Sequence, residues 1–294
     1  MSERHTSQAA RSRWKLLSQF ISQKRSIDCS CPSAQSVSVK RLLNFGFLKF
    51  TEHASDQNPS YNVRQYSFSD EFSVSLLSRK NTIPTLSEVN SVIGTAFDTT
   101  GLITVWPAEE ALSYYIFENV ADFRGKSVLE IGCGCGLAGL VAAKGGSGFV
   151  SLTDANEDVV RLCDESISMN PDVQNCTASV LAWGKLENFA TFDFIVSADC
   201  LYFEKSHALM HDLLSSALAK NGTALFVCPR RGASLEAFVH LLNGQKVFKV
   251  CVLENWNRHI DNCIADTMQK NMDLFDKNLH NLLLITVERL SPQG

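Results

Sequence analysis

The sequence lacks any apolar run approaching the roughly 20 residues of a membrane-spanning helix, although 45% of its 294 residues are hydrophobic. It also lacks the successive basic, apolar and small-residue zones of a secretory signal peptide. We therefore expect neither membrane insertion nor export. The apolar content is ordinary for a globular core, and the length suits one α/β domain with an accessory segment.

The Cys-x-x-Cys spacing of many redox and zinc sites is absent, although the chain has ten cysteines. Several lie inside apolar runs, as Cys228 and Cys251 do. Buried, reduced thiols are the natural interpretation, and they favour a reducing compartment. No metal site is expected either, because His207 and His211 have the spacing of a metalloprotease helix without its glutamate.

Acidic residues are scarce at the start of the chain. Residues 1–50 contain nine Lys and Arg against two acidic residues, a net charge of +7, whereas the remainder carries −11. A basic arm on an acidic body suggests an acidic partner, a nucleic acid or an organelle import signal, and a solvated terminus is the plain alternative. We expect a cytoplasmic protein, with the nucleus as a second location and mitochondrial import left open.

The best-defined motif is a glycine turn between two apolar strands. Val128–Ile131 predicts a buried strand, residues 132–136 (Gly-Cys-Gly-Cys-Gly) a turn, and Leu137–Lys144 a helix. A second strand, Phe149–Thr153, leads to Asp154. Glycines let the backbone lie directly against a ligand, and a carboxylate after the second strand can bind both hydroxyls of a ribose. The motif therefore predicts a nucleoside-binding site.

The spacing of the glycines discriminates between nucleotide cofactors. The dinucleotide fingerprint G-x-G-x-x-G would need a glycine at Leu137. Two residues before the turn, Glu130 would repel a pyrophosphate and attract an ammonium or sulfonium group. A nicotinamide-dependent dehydrogenase is therefore disfavoured, and a cationic ligand is favoured.

Strands alternate with helices after residue 101, which indicates a mostly parallel, doubly wound sheet with one antiparallel strand in its last pair. A strand at residues 101–106 and a helix opened by Pro107 precede the glycine strand. Residues 205–220 are predicted as a helix. The later strands are expected at residues 177–181, 192–197, 224–228, 246–253 and 282–287.

The N-terminal part is predicted to be β-rich. A basic amphipathic helix, Trp14–Arg25, precedes alternating stretches in residues 36–50 and 61–77, where Phe45 and Phe47 have strand spacing. Residues 55–59 predict a loop, and Thr85–Ile93 a short capped helix.

Ligands of a doubly wound sheet lie beyond the carboxyl ends of its strands. This edge collects the glycine turn, Asp154, Trp183 and the segment 198–202. There, Asp199 and Tyr202 are suited to positioning an amine, although Asp199 as a helix N-cap is an alternative. The rings of Trp183 and Trp106 are suited to packing against a cofactor. Ordinary packing in the core is the default alternative for both.

These motifs resemble the class I, seven-β-strand S-adenosylmethionine-dependent protein lysine methyltransferases. The resemblance rests on residues 106–110, 130–136 and 153–157, on Trp183, and on Asp199 and Tyr202, which match the family's D/E-x-x-Y/F signature. It implies an α/β fold, a seven-stranded mostly parallel doubly wound (Rossmann-like) methyltransferase sheet with a β-rich N-terminal extension. Its cofactor would be S-adenosylmethionine.

The resemblance also implies a division of the chain and a set of site residues. We expect a disordered terminus over 1–13, a helix and β-rich accessory region over 14–100, and the methyltransferase domain over 101–294. Asp199 and Tyr202 would be catalytic and face the target lysine. The expected cofactor-binding residues are Trp106, Glu130, Gly132, Cys133, Gly134, Asp154, Trp183 and Ala198.

Segments nearer the ends resemble the branch of this family that acts on calmodulin, an acidic protein. They are residues 13–17, 38–41, 229–232 and 278–280. This implies methylation of a calmodulin lysine, to trimethyllysine, with neither nucleic acid nor membrane as partner. Arg230 and Arg231 would meet the acidic substrate or be solvated. Two alternatives stay open: a methyltransferase for another protein lysine, and a non-catalytic calmodulin-binding module that uses the Trp14 helix.

Overall fold

The computed structural model describes residues 44–56, 58–80, 104–184, 190–244 and 247–290. The predictions for residues 1–13, for the helices Trp14–Arg25 and Thr85–Ile93, and for the first three residues of the strand at 101–106 lie outside these ranges. None of the helices in the described ranges is long and apolar enough to cross a membrane.

A three-stranded antiparallel sheet precedes the main sheet. It consists of β1 (Lys49–Ala54), β2 (Tyr61–Ser67) and β3 (Ser73–Arg79), in that order. The loop predicted at residues 55–59 does join β1 to β2. The strand predicted through Phe45 and Phe47 is wrong: residues 44–48 form no strand, and Gly46 has a φ of 70°, which interrupts the extended backbone. Both phenylalanines are instead buried in the core.

The small sheet is fixed to the main domain through β3. Asn170 accepts a hydrogen bond from the Ser75 amide at 3.0 Å and donates one to the Ser75 carbonyl at 2.7 Å. The Ser166 hydroxyl accepts from the Leu77 amide at 3.1 Å. Side chains thus satisfy backbone groups that an edge strand would otherwise leave unpaired.

The main sheet has seven strands and confirms the predicted fold class. Its members are β4 (Ser127–Ile131), β5 (Phe149–Asp154), β6 (Cys176–Val180), β7 (Phe192–Ala198), β8 (Leu218–Cys228), β9 (Phe248–Leu253) and β10 (Leu283–Arg289). Their order is β6-β5-β4-β7-β8-β10-β9. Only β10 runs antiparallel to its neighbours, β8 and β9. The carboxyl ends of the parallel strands therefore form one edge, with the chain order reversing between β4 and β7.

Helices cover the sheet on both faces. They are α1 (Pro107–Glu118), α2 (Val120–Phe123), α3 (Leu137–Lys144), α4 (Glu157–Ser168), α5 (His207–Ala217), α6 (Ser234–Asn243), α7 (Arg258–Lys270) and α8 (Lys277–His280). Adjacent strand residues such as Val128 and Leu129 enter different core clusters and both are fully buried. Two covered faces explain why the strands are continuous apolar runs rather than alternating ones.

Two further local predictions need correction. Thr104–Trp106 form no strand; they lead into α1, which begins at Pro107 as predicted. The helix predicted to reach residue 220 ends at Ala217, because Leu218 pairs with Phe192 and begins β8. Pairing with β7 thus overrides the helix propensity of the segment.

The helix α7 was not predicted, although its sequence carries the signal. Ile260, Ile264 and Thr267 are buried at helical spacing, and the Asn257 side chain caps the first turn through two backbone amides.

Candidate active site

The glycine turn after β4 brings three strand ends together. Gly132, Gly134 and Gly136 all have positive φ angles, of 60°, 52° and 73°. A Cβ atom on Gly132 would lie 2.6 Å from the Cys200 thiol and 3.7 Å from the ring of Trp183. Glycine is therefore required at 132 both for its backbone angle and for space. The segments that follow β6 and β7 meet the turn here, as the topology predicts.

Asp154 lies at the end of β5 and faces the turn. Its carboxylate accepts hydrogen bonds from the amide of Gly134 at 3.3 Å and of Asn156 at 3.0 Å. Burial raises the pKa of Asp154, and hydrogen bonds from these amides and that of Ala155 oppose the rise. The side chain is partly exposed, so a carboxylate stands beside bare backbone, which is the arrangement expected at a ribose site.

Two buried carboxyl groups bind the start of α3, the helix that follows the glycine turn. Glu109 accepts a hydrogen bond from the Ala138 amide and Glu130 from the Gly139 amide, each at 2.8 Å. These amides belong to the first turn of α3, where the backbone has no other acceptor. Burial raises the pKa of Glu109 to about 7, while burial and then the nearby Glu109 raise that of Glu130 well above its usual value.

The position of Glu130 weakens the charge argument made for it from sequence. Its side chain is 1% exposed, and the raised pKa favours the neutral carboxyl over the anion that would attract a sulfonium. Cys133 is buried too, with its sulfur 3.7 Å from that of Cys163. Both side chains support the turn. Their contact with a cofactor stays a prediction.

Trp106 and Trp183 are partly exposed rather than enclosed in the core. Trp106 precedes α1, and its carbonyl accepts from the amides of Glu109 and Glu110. The Glu109 carboxylate in turn binds α3, which links Trp106 to the helix that follows the glycine turn.

The segment after β7 is held beside the turn and beside β8. Ala198 is the last residue of β7 and pairs with Val227. Asp199 has a φ of 54°, and its amide donates to the Val227 carbonyl at 2.9 Å. The N-cap alternative for Asp199 is wrong, because the next helical turn is Glu204–Ser206, whose N-cap position is Phe203.

Arg231 is the residue that sequence reasoning misplaced. Its Nε donates to Asp199 Oδ1 at 2.8 Å and its Nη2 to Asp199 Oδ2, with the guanidinium 5.7 Å from the centre of the Tyr202 ring. Arg230 binds Glu236 and Glu254. Both arginines thus bind this chain's own carboxylates. The available signal was topological: β7 and β8 are parallel neighbours, so the segments after them end at one edge.

The residues at this edge fit an adenosine-type cofactor. Bare backbone at Gly132, the Asp154 carboxylate and the Trp183 ring are the groups that a nucleoside needs, for close approach, ribose binding and a wall. Across the described part of the chain, no three His, Cys, Asp or Glu side chains are grouped to hold a metal ion.

The fold and this edge define a class of protein. A putative S-adenosylmethionine-dependent methyltransferase from Streptococcus mutans shares the fold, with a TM-score of 0.51 at 12% identity, over 80% of this chain and 57% of that one. Residues 97–245 match the model of the lysine methyltransferase family. The chain belongs to the lysine methyltransferase family, and its cofactor is S-adenosylmethionine.

Curated relatives extend this similarity. Calmodulin-lysine N-methyltransferase of Arabidopsis thaliana is 35% identical over 204 residues, which are 65% of this chain and 66% of that protein. Protein N-lysine methyltransferase METTL21A of Mus musculus is 31% identical over 48% of this chain and 66% of its own length. The Dictyostelium discoideum histidine protein methyltransferase 1 homolog is 32% identical over 42% of this chain and 41% of its own length. The chain therefore spans 66% or less of these relatives.

Proposed function

We propose that this protein transfers methyl groups from S-adenosylmethionine to the ε-amino group of a lysine in calmodulin, producing trimethyllysine. The observation that carries the proposal is the meeting of three strand ends at Gly132. The cofactor turn there lies against Cys200, and Asp199 is the residue immediately before it. A cofactor on the turn and an amine at Asp199 would therefore be neighbours.

The residues of the site have a limited task. When bound, S-adenosylmethionine supplies a methyl group that is already activated, so catalysis consists mainly of positioning and exclusion of water. The Asp199 carboxylate and the Tyr202 phenol are half-buried polar groups in the segment after β7 that can orient an amine. The Asp154 carboxylate and the backbone of the turn would hold the nucleoside.

Two observations support calmodulin as the substrate. The first is the Arabidopsis relative, which matches a longer part of this chain than METTL21A or the histidine methyltransferase homolog does. The second is the net charge of +7 in residues 1–50, which would attract an acidic protein. Other relatives are named for other proteins, such as EEF1A lysine methyltransferase 3 of Mus musculus, so another lysine substrate is the alternative.

The test is mass spectrometry of unmethylated calmodulin incubated with the purified protein and S-adenosylmethionine. We expect a gain equal to three methyl groups on one lysine. Asp199→Asn should lower the rate about 100-fold, because small losses of positioning are costly in methyl transfer. Asp172→Asn is the matched control, since Asp172 pairs with Lys144 on the surface and should leave the rate unchanged.

Each result has a definite meaning. Transfer to proteins of an extract depleted of calmodulin, with none to calmodulin, would replace the substrate and keep the reaction. Calcium-dependent binding of calmodulin with no transfer to any protein would support the binding-module alternative instead.

A further inference from the structure

The pairing of Arg231 with Asp199 is geometrically fixed. The guanidinium binds both carboxylate oxygens, and the side chain of Asp199 is only 14% exposed, against 30% for Arg231. A bidentate, partly buried pair is stronger and more directional than a surface ion pair. Asp199 is the carboxylate that the proposed function places next to the substrate amine.

Backbone strain is present at both ends of this pair. Asp199 and Arg231 have φ angles of 54° and 47°, in the left-handed region that non-glycine residues rarely adopt. The amide of Arg231 donates to the Asn278 carbonyl at 2.9 Å, which fixes the turn after β8 to α8. Strained residues of this kind persist where the surrounding structure enforces them, and they concentrate at functional sites.

The charges around Asp199 come from several elements. The other titratable groups that act on this edge are Cys200 and Tyr202 in the segment after β7, Cys228 at the end of β8, Asp154 at the end of β5, Glu109 in α1, and Arg230 with its partners Glu236 and Glu254. Burial raises the pKa of both thiols, which are therefore uncharged near neutral pH. Among the described residues, Arg231 is a cation that binds Asp199 directly.

This arrangement bears on the chemistry of a lysine nucleophile. Only the neutral amine has the lone pair that forms the new N–C bond, so a bound ammonium must first release a proton to solvent. An unpaired carboxylate beside it would favour the ammonium, whereas a carboxylate neutralised by a guanidinium would not. The same guanidinium lies against the Tyr202 ring and adds a second positive influence on the entering side chain.

We propose that Arg231 is a positioning residue of the methyl-transfer site: it fixes Asp199 and offsets its charge, so that a lysine entering beside Asp199 and Tyr202 is held as the neutral amine. This inference rests on the proposed function. It predicts that Arg231 acts through the pH dependence of the reaction and not only through stability.

The test compares the pH profiles of kcat at saturating substrate for the wild type, Arg231→Met and Arg231→Lys. We expect Arg231→Met to move the half-maximal point of the acidic limb upward by about 1 to 3 pH units, the range typical of one nearby charge. Its loss of activity should thus be large at neutral pH and small in alkaline buffer. Arg231→Lys should recover part of the shift. The matched control is Arg230→Met, which removes the neighbouring arginine and leaves Asp199 paired with Arg231, so its profile should stay at the wild-type position.

A second background shows whether Arg231 acts through Asp199. In Asp199→Asn, adding Arg231→Met should cause a clearly smaller shift than it does in the wild type, because no carboxylate charge is left to offset and only the direct repulsion between guanidinium and ammonium is lost. Thermal denaturation reports whether each variant is folded, and Arg231→Gln, which keeps hydrogen bonding without charge, replaces Arg231→Met if that variant does not fold.

Three results would overturn the inference. A uniform loss of kcat at every pH would reduce Arg231 to a structural role. Higher activity of Arg231→Met at neutral pH would mean that the guanidinium blocks the amine site. A shift as large in Asp199→Asn as in the wild type would show that Arg231 does not act through Asp199. If instead the wild type transfers no methyl group to any protein, the proposed function fails and the inference fails with it.

Discussion

At the scale of single residues, the site depends on the absence of a side chain at Gly132. Its φ of 60° and its distance from Cys200 are separate constraints, and each alone would favour glycine. Gly125 has the positive backbone angle without the steric constraint. Its φ is 70°, but a Cβ there would have nothing within 4 Å. The two glycines therefore separate backbone strain from steric exclusion.

We predict that Gly132→Ala abolishes measurable binding of S-adenosylmethionine, because the added methyl group must displace the Cys200 segment from the turn. Gly125→Ala should cost about 1 to 2 kcal/mol of stability from the left-handed backbone and leave cofactor affinity intact. Isothermal titration of the cofactor and thermal denaturation of both variants measure the two effects. Equal affinities of the two variants would contradict this account of the turn.

At the scale of elements, α1 places carboxyl groups where water cannot reach them. Glu109 and Glu110, in its first turn, are 5% and 6% exposed. Burial raises the pKa of Glu110 to about 8, against the opposing effects of Arg64 and a hydrogen bond with Tyr66. The folded protein therefore retains a proton at Glu110 that the unfolded chain releases near pH 4.5.

The sign of the pH dependence follows from this difference. Between about pH 4.5 and pH 8 the unfolded state binds fewer protons at Glu110, so its contribution to the free energy of unfolding falls as pH rises, by up to about 1.4 kcal/mol per pH unit. Glu110→Gln should flatten that fall and make the protein more stable at pH 8 than the wild type. Urea denaturation from pH 5 to pH 8 measures it. Glu71→Gln, in an exposed turn, should keep the wild-type slope; a parallel slope in Glu110→Gln would refute the prediction.

The sequence predicts elements better than it predicts contacts between them. The bounds of α3 match those predicted, because glycines and a following strand mark both ends. The helix boundary at Ala217 was missed because pairing of Leu218 with Phe192 is a long-range interaction. For the site, the edge and the turn were predictable from topology. The ion pair between Asp199 and Arg231 was not, since the pattern of residues does not show which carboxylate an arginine will bind.

At the scale of the whole molecule, β10 holds the second half of the sheet together. It lies between β8 and β9, and its residues Leu283, Leu284, Ile285 and Val287 are at most 2% exposed. Burial of each contributes about 2 kcal/mol, and together this is comparable to the whole stability of a typical domain, about 5 to 15 kcal/mol.

We predict that a chain ending at Leu282 yields no soluble, folded protein, because β8 and β9 lose their shared partner. A chain ending at Leu290 keeps β10 and should fold and bind the cofactor as the full chain does. Soluble yield, circular dichroism and cofactor titration compare the two. A folded, cofactor-binding chain ending at Leu282 would show that β10 is dispensable.

The late position of β10 in the sequence also determines how long β8 stays unpaired on one side during synthesis. β8 leaves the ribosome with β7 on one side and nothing on the other, and its partner follows only after roughly fifty further residues. At about 5 to 20 residues per second, a growing chain exposes that apolar edge for about 3 to 10 seconds. During this interval we expect the unpaired edge of β8 to be open to aberrant pairing with strands of other chains.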